Sequence, residues 1–188
     1  ISAASAASLE ELINTNVQFR FEDDSVERLG VDEGTPGVLD VGDTLRGVFS
    51  FPQFANQTTG EVFPLNGTTN SALHGLFEIE LTEKTQISPG VFDFRFGPHD
   101  GFAGDVGGVE NAMVGLWESD TPLNPSGCNT VSACEAGATA GDLRLVLGFD
   151  PDKENIWGAS GADDIEALEG VAQGSNVAQF GFRINVLE

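Results

Sequence analysis

Residues 73–96, LHGLFEIELTEKTQISPGVFDFRF, decide the reading of the fold. Leu76, Glu78 and Glu80 alternate with Phe77, Ile79 and Leu81, and further on Phe92, Phe94 and Phe96 alternate with Asp93 and Arg95. A period of two belongs to a strand, because successive side chains point to opposite faces. Ser88-Pro89-Gly90 lies between the two runs, and a turn that short pairs them as an antiparallel hairpin. The first strand reads as amphipathic, with its glutamates facing water.

The same period recurs outward from this hairpin. Val17, Phe19 and Phe21 alternate with Gln18, Arg20 and Glu22, and Leu45, Gly47, Phe49 and Phe51 form one face of a strand that Pro52 ends. Residues 111–117 (NAMVGLW) are more continuously apolar and predict a central strand. Leu143, Leu145 and Leu147 alternate with Arg144 and Val146, and Phe180, Phe182, Ile184 and Val186 predict a closing strand. Between these runs, 23–43, 52–72, 97–109 and 119–140 read as turns and loops, rich in Gly, Pro, Asp, Asn and Ser. Two short helices are expected. One lies at about 9–14, where Ser8 and Glu11 make a capping box; the other runs from Asp163 to Leu168, before Gly170. Seven or eight strands with one or two short helices predict an all-β fold, an antiparallel β-sandwich of jelly-roll type. Residues 1–13 are expected to form an N-terminal arm with its short helix, and 14–188 a single β-sandwich domain.

At 188 residues the chain is long enough to bury roughly 70% of its unfolded surface. It has 24 Gly, 14 Phe and no Tyr, a composition suited to short strands and tight turns. Thirty acids against eight bases leave a net charge of −22. Such a surface repels nucleic acid and anionic lipid, so neither is expected as a partner. The acidity has two readings: solubility in a salty medium, where counterions screen it, and collection of divalent cations, above all Ca²⁺.

Cys128 and Cys134, in GCNTVSAC, are close enough in sequence to close a local disulfide contributing about 2–3 kcal/mol. A zinc site would need more ligands, and His74 and His99 are far away in sequence. A disulfide implies an oxidising compartment, whether periplasm, cell surface or medium, and the expected location is secreted, at the cell surface. No stretch is long enough to span a membrane, and ISAASAAS at the start suits either a flexible arm or the residue of signal cleavage. Asn56 (NQT) and Asn66 (NGT) occupy glycosylation sequons, motifs that also arise by chance.

Five segments taken together, GDTLRGVFSF (42–51), LHGLFEIELTEKT (73–85), ENAMVGLWESDTPL (110–123), GDLRLVLGF (141–149) and QFGFRINVLE (179–188), resemble a group of exported bacterial proteins that carry the PEP-CTERM sorting signal. The likeness covers about residues 40–160, including the Cys pair and Trp157; the sorting signal itself is not in this sequence. The resemblance implies export and a surface, matrix or biofilm role, and brings no catalytic residues with it.

No reaction centre is legible. There is no G-x-S-x-G and no HExxH, and GFAGDVGG at 101–108 lacks the spacing of a nucleotide loop. The best cation candidate is Asp150, Asp152 and Glu154, oxygen ligands at alternate positions, with a solvated turn as the plainer reading. Glu22-Asp23-Asp24 and Asp100 with Asp105 are weaker candidates. Trp117 and Trp157 would suit glycan stacking, although a buried Trp is the commoner role in a sandwich. The sequence therefore predicts a non-enzymatic secreted structural protein of the cell surface, matrix or an extracellular filament. It would associate with itself through sheet edges or terminal strands, with calcium as a possible cofactor. The alternative is a calcium-dependent polysaccharide-binding module.

Overall fold

A computed structural model describes residues 17–20, 25–29, 35, 37–56, 59–65, 71–127, 131–152, 156–163, 179–183 and 185–186. In chain order the strands are β1 (Val17–Arg20), β2 (Ser25–Leu29), β3 (Thr44–Phe51), β4 (Gln53–Asn56), β5 (Val62–Pro64), β6 (Ala72–Ser88), β7 (Val91–Pro98) and β8 (Ala112–Ser119), then β9 (Asp142–Gly148), β10 (Ile156–Gly161), β11 (Gln179–Arg183) and β12 (Asn185–Val186). One α-helix, α1 (Val131–Ala138), and 3₁₀ turns at Asp100–Val106 and Pro125–Gly127 complete the described elements. The fold is all-β and antiparallel, as the alternation predicts.

The hairpin that opens the reading is present. β6 and β7 pair antiparallel from Ile79↔Pro98 to Ser88↔Val91, and Gly90 turns the chain at φ 73°, a conformation that favours glycine. The register shifts between Leu81 and Glu83 and again between Gln86 and Ser88. Such irregularities bend and twist a long strand.

A three-stranded sheet has the order β1-β4-β5. A nine-stranded sheet has the order β11-β10-β7-β6-β8-β9-β12, with β2 on β3 and β3 also on β6. The apolar run at 111–117 is β8, buried at every residue but its last and flanked by β6 and β9, so the expectation of a central strand holds.

The chain divides into two compact units. The first contains β1, β4, β5 and α1, with Val48, Phe49, Leu73, Leu76, Leu116 and Trp117 in its core. The second contains β7, β10, β11, β12 and the Asp100–Val106 turn, with Leu81, Phe94, Phe96, Phe102, Val106 and Met113 buried.

Several expectations are corrected. Residues 52–72 are not one surface loop: β4 and β5 pair there, and Leu65 is buried, its N–H donating to the Pro52 carbonyl at 2.8 Å. Residues 23–43 contain β2, and 119–140 contain α1. Short strands and an alanine-rich single helix leave little periodic signal among turn residues. The first half of β6 is not amphipathic. Residues 72–79 are buried on both faces, as a strand paired on both sides and covered above and below must be. β9 buries Val146 and leaves Leu143 exposed, the reverse of the leucine face read from its sequence. The closing run is two strands: β11 pairs with β10, and β12 with β9. The helices read at 9–14 and 163–168 fall largely outside the described residues.

Candidate functional site

Two buried glutamates mark where charge has been drawn into the strands. Glu78 of β6 and Glu118 of β8 are 8% and 9% exposed, and each has an arginine. A buried carboxylate is costly unless it is paired and hydrogen-bonded. In the second unit, Arg46 Nη1 of β3 donates to Glu78 Oε2 at 2.6 Å and to Asp105 Oδ2 at 2.8 Å. The guanidinium lies 6.0 Å from the Phe102 ring centroid. His99 Nδ1 lies 3.2 Å from Glu78 Oε1, out of line for a hydrogen bond. In the first unit, Arg144 Nε donates to Glu118 Oε2 at 2.8 Å, and Arg144 Nη2 reaches Asp142 at 3.1 Å.

Lys84 forms the other internal ion cluster. Its Nζ is 2.9 Å from Asp40 Oδ1, 2.8 Å from Asp163 Oδ2 and 4.8 Å from the Phe92 centroid. Burial works against the ammonium, but Asp163 and Asp40 outweigh it, so the Lys84 pKa is raised. The Thr35 N–H, and then Lys84, hold the Asp40 carboxyl below its ordinary value.

His74 of β6 behaves oppositely. It is 2% exposed, and burial pushes its pKa down to about 4, opposed only by the Thr121 backbone. Its Nε2 accepts the Leu123 N–H at 2.9 Å. With Phe51, Pro52, Leu65, Leu73 and Leu123 it lines a half-open, mostly apolar hollow of about 250 Å³ in the first unit.

Among the described residues, those singled out in the sequence are not drawn together into one site. Asp150 and Asp152 sit in a turn after β9, where the Asp152 N–H donates to Asp150 Oδ1 at 3.0 Å; Glu154 lies outside the described residues. Among the described residues, no group of three or more His, Cys, Asp and Glu is placed to hold a metal ion. Asp100 is exposed, while Asp105 is engaged by Arg46. Trp117 is 4% exposed, so its indole is covered; Trp157 is half-buried and packs on Phe77, centroids 6.0 Å apart. Asn56 ends β4, and Asn66 lies outside the described residues. Cys134 is fully buried in α1, no free cysteine is present among the described residues, and Cys128 lies outside them.

Arg46, Glu78 and Lys84 escape a motif search because they belong to no motif. Their signal is scarcity: an arginine inside an apolar strand, and one of only two lysines, in a chain with 30 acids. Chemically these clusters neutralise and position charge. Among the described residues, no helix is long and apolar enough to cross a membrane. Comparison of the chain with protein-family models, with curated proteins and with solved structures finds no match.

Proposed function

We propose that this is a non-enzymatic, secreted structural protein of a cell surface, extracellular matrix or extracellular filament, as its resemblance to PEP-CTERM exported proteins implies. It self-associates through its terminal strands. The supporting observation is where those strands lie. β1 ends the three-stranded order, and β11 and β12 stand at the two ends of the nine-stranded order. A terminal strand on a sheet edge is one that a neighbouring copy can extend or replace, since edge N–H and C=O groups template pairing.

Charge sets the condition for assembly. Arg46, Lys84, Arg95 and Arg144 all pair with carboxylates of the same chain, which leaves acids dominant on the surface. Copies carrying −22 each repel one another unless salt or Ca²⁺ neutralises the contact. A Cys128–Cys134 bridge suits the same extracellular setting.

The test is size exclusion with light scattering and electron microscopy of the same fractions, in millimolar Ca²⁺ and then in chelator. Ordered assemblies that dissolve in chelator are expected. Removal of residues 1–21, which takes β1 away, or of 179–188, which takes β11 and β12 away, is expected to abolish them. Assemblies that survive chelation would discard the calcium part alone. A monomer in both conditions would overturn self-association and favour a polysaccharide-binding module.

A further inference from the structure

We propose that His74 is an acid-sensitive latch: one buried imidazole that holds the loop after β8, and with it helix α1, onto β6, and releases them when it takes up a proton. The geometry is specific. The Leu123 N–H donates to His74 Nε2 at 2.9 Å, across 49 residues of sequence. A neutral imidazole accepting at Nε2 carries its proton on Nδ1. Nδ1 is itself buried and has no aligned partner.

Leu123 is the junction of this loop. On one side it is tied to β6 through His74. On the other its side chain lies against Gly137 of α1, so closely that a methyl group there would strike Leu123 Cδ1. The loop's start is shaped by Ser119, whose Oγ donates to the Thr121 carbonyl at 2.7 Å and accepts the Thr121 N–H at 3.1 Å. One acceptor atom on β6 therefore seats a segment that runs on into the helix carrying Cys134.

Protonation removes that acceptor. In imidazolium both nitrogens donate, so an Nε2–H would face the Leu123 N–H and a charge would be left buried without a counterion. Against that charge the Thr121 backbone offers partial relief, and the strands lining the hollow offer no counter-charge. Ser50 and Phe51 of β3, Leu73 and Gly75 of β6 and Leu65 after β5 are uncharged. The acids of the neighbouring elements are Glu118 of β8, which Arg144 holds, Asp120 of the loop and Glu135 of α1, while the imidazole responds to burial first and to the Thr121 backbone second.

The sign follows from the pKa being lower in the latched state than the ordinary 6.5. The latch is at full strength above about pH 6.5, weakens as pH falls toward about 4, and changes no further below that. Relative to neutral pH, closure is expected to weaken about eightfold at pH 5.5 and about sixtyfold at pH 4.5.

Hydrogen exchange on the intact chain, with protection factors corrected for the intrinsic pH dependence, reads this directly. Amides of 119–127 and 131–138 are expected to lose protection by those factors, while those of β7 keep theirs. His74→Gln retains an acceptor that does not titrate and is expected to abolish the pH step; His99→Gln is expected to keep it. A flat wild-type profile, or an unchanged step in His74→Gln, would overturn the latch. Should His74→Gln fail to fold, proton NMR of the wild type decides. The His74 ring and the Leu123 amide are expected to titrate together, well below an ordinary imidazole. Titration of the ring near 6.5 with the Leu123 amide unmoved would overturn it equally.

Discussion

Arg46 shows how much rests on single side chains in an acidic protein. With Glu78, it forms a pair whose side chains are 12% and 11% exposed. Arg46→Met would take the guanidinium from Glu78 and leave only His99, 3.2 Å away, beside the buried carboxylate, at a cost of about 3 kcal/mol. The double variant Arg46→Met with Glu78→Leu is expected to recover much of that loss, because the burdened group has gone. Denaturant unfolding of the two variants checks it, and equal losses would mean that the cost lies in losing Arg46 itself and not in the carboxylate left behind. Gly75 is the second such position. A Cβ there would collide with Cζ, Cε1 and Cε2 of the Phe49 ring. Gly75→Ala is expected to destabilise by about 1–3 kcal/mol, an overpacking cost measurable in the same experiment.

Among elements, the Lys84 cluster joins three pieces of the second unit: the turn at 40–43, β6, and the segment after β10. Backbone bonds run beside it, from Leu39 N–H to the Asp163 carbonyl and from Gly42 N–H to the Leu81 carbonyl, each within 2.9 Å. Lys84→Gln would leave Asp40 facing Asp163 without the ammonium. The Leu39 and Gly42 amides are then expected to exchange faster than in wild type, with those of β8 unchanged; unchanged Leu39 and Gly42 would deny the lysine its role. The pH signs are opposite for the partners. The lowered Asp40 pKa contributes stability above its ordinary 3.8 that is lost as pH falls through its folded value. The raised Lys84 pKa contributes stability that is present up to about 10.5 and lost as pH climbs beyond it.

For the whole molecule the governing quantity is the net charge of −22. Self-repulsion on that scale opposes the folded state and is screened by salt. Raising ionic strength from about 0.01 to 0.15 M shortens the screening length from about 30 to 8 Å. The melting temperature of the monomer is expected to rise over that range, and a flat response would mean that the internal ion pairs and bound counterions already neutralise the charge. Calcium-dependent assembly belongs to this scale too, because it concerns the sum of the acids rather than any one of them.

What the residues alone determined is the class of fold, the β6–β7 hairpin and the central place of β8, because period two, a Pro-Gly turn and an unbroken apolar run are local signals. Acidity and the cysteine pair were legible in the same way. Tertiary structure decided what is buried with what. The alternation at 76–81 reads as a wet face of glutamates, yet Glu78 is buried, because Arg46 from β3 and His99 from beyond β7 are brought against it. His74 looks like any lone imidazole until Leu123, 49 residues later, is seen to donate to it. The acidic turn at 150–152 stood out in the sequence, and there the Asp152 N–H donates to Asp150 within the turn itself, whereas Arg46 meets Glu78 from 32 positions away and Lys84 meets Asp163 from 79. Such partners are chosen by strand pairing across long loops, and nothing in a local pattern specifies which distant charge a buried one will meet.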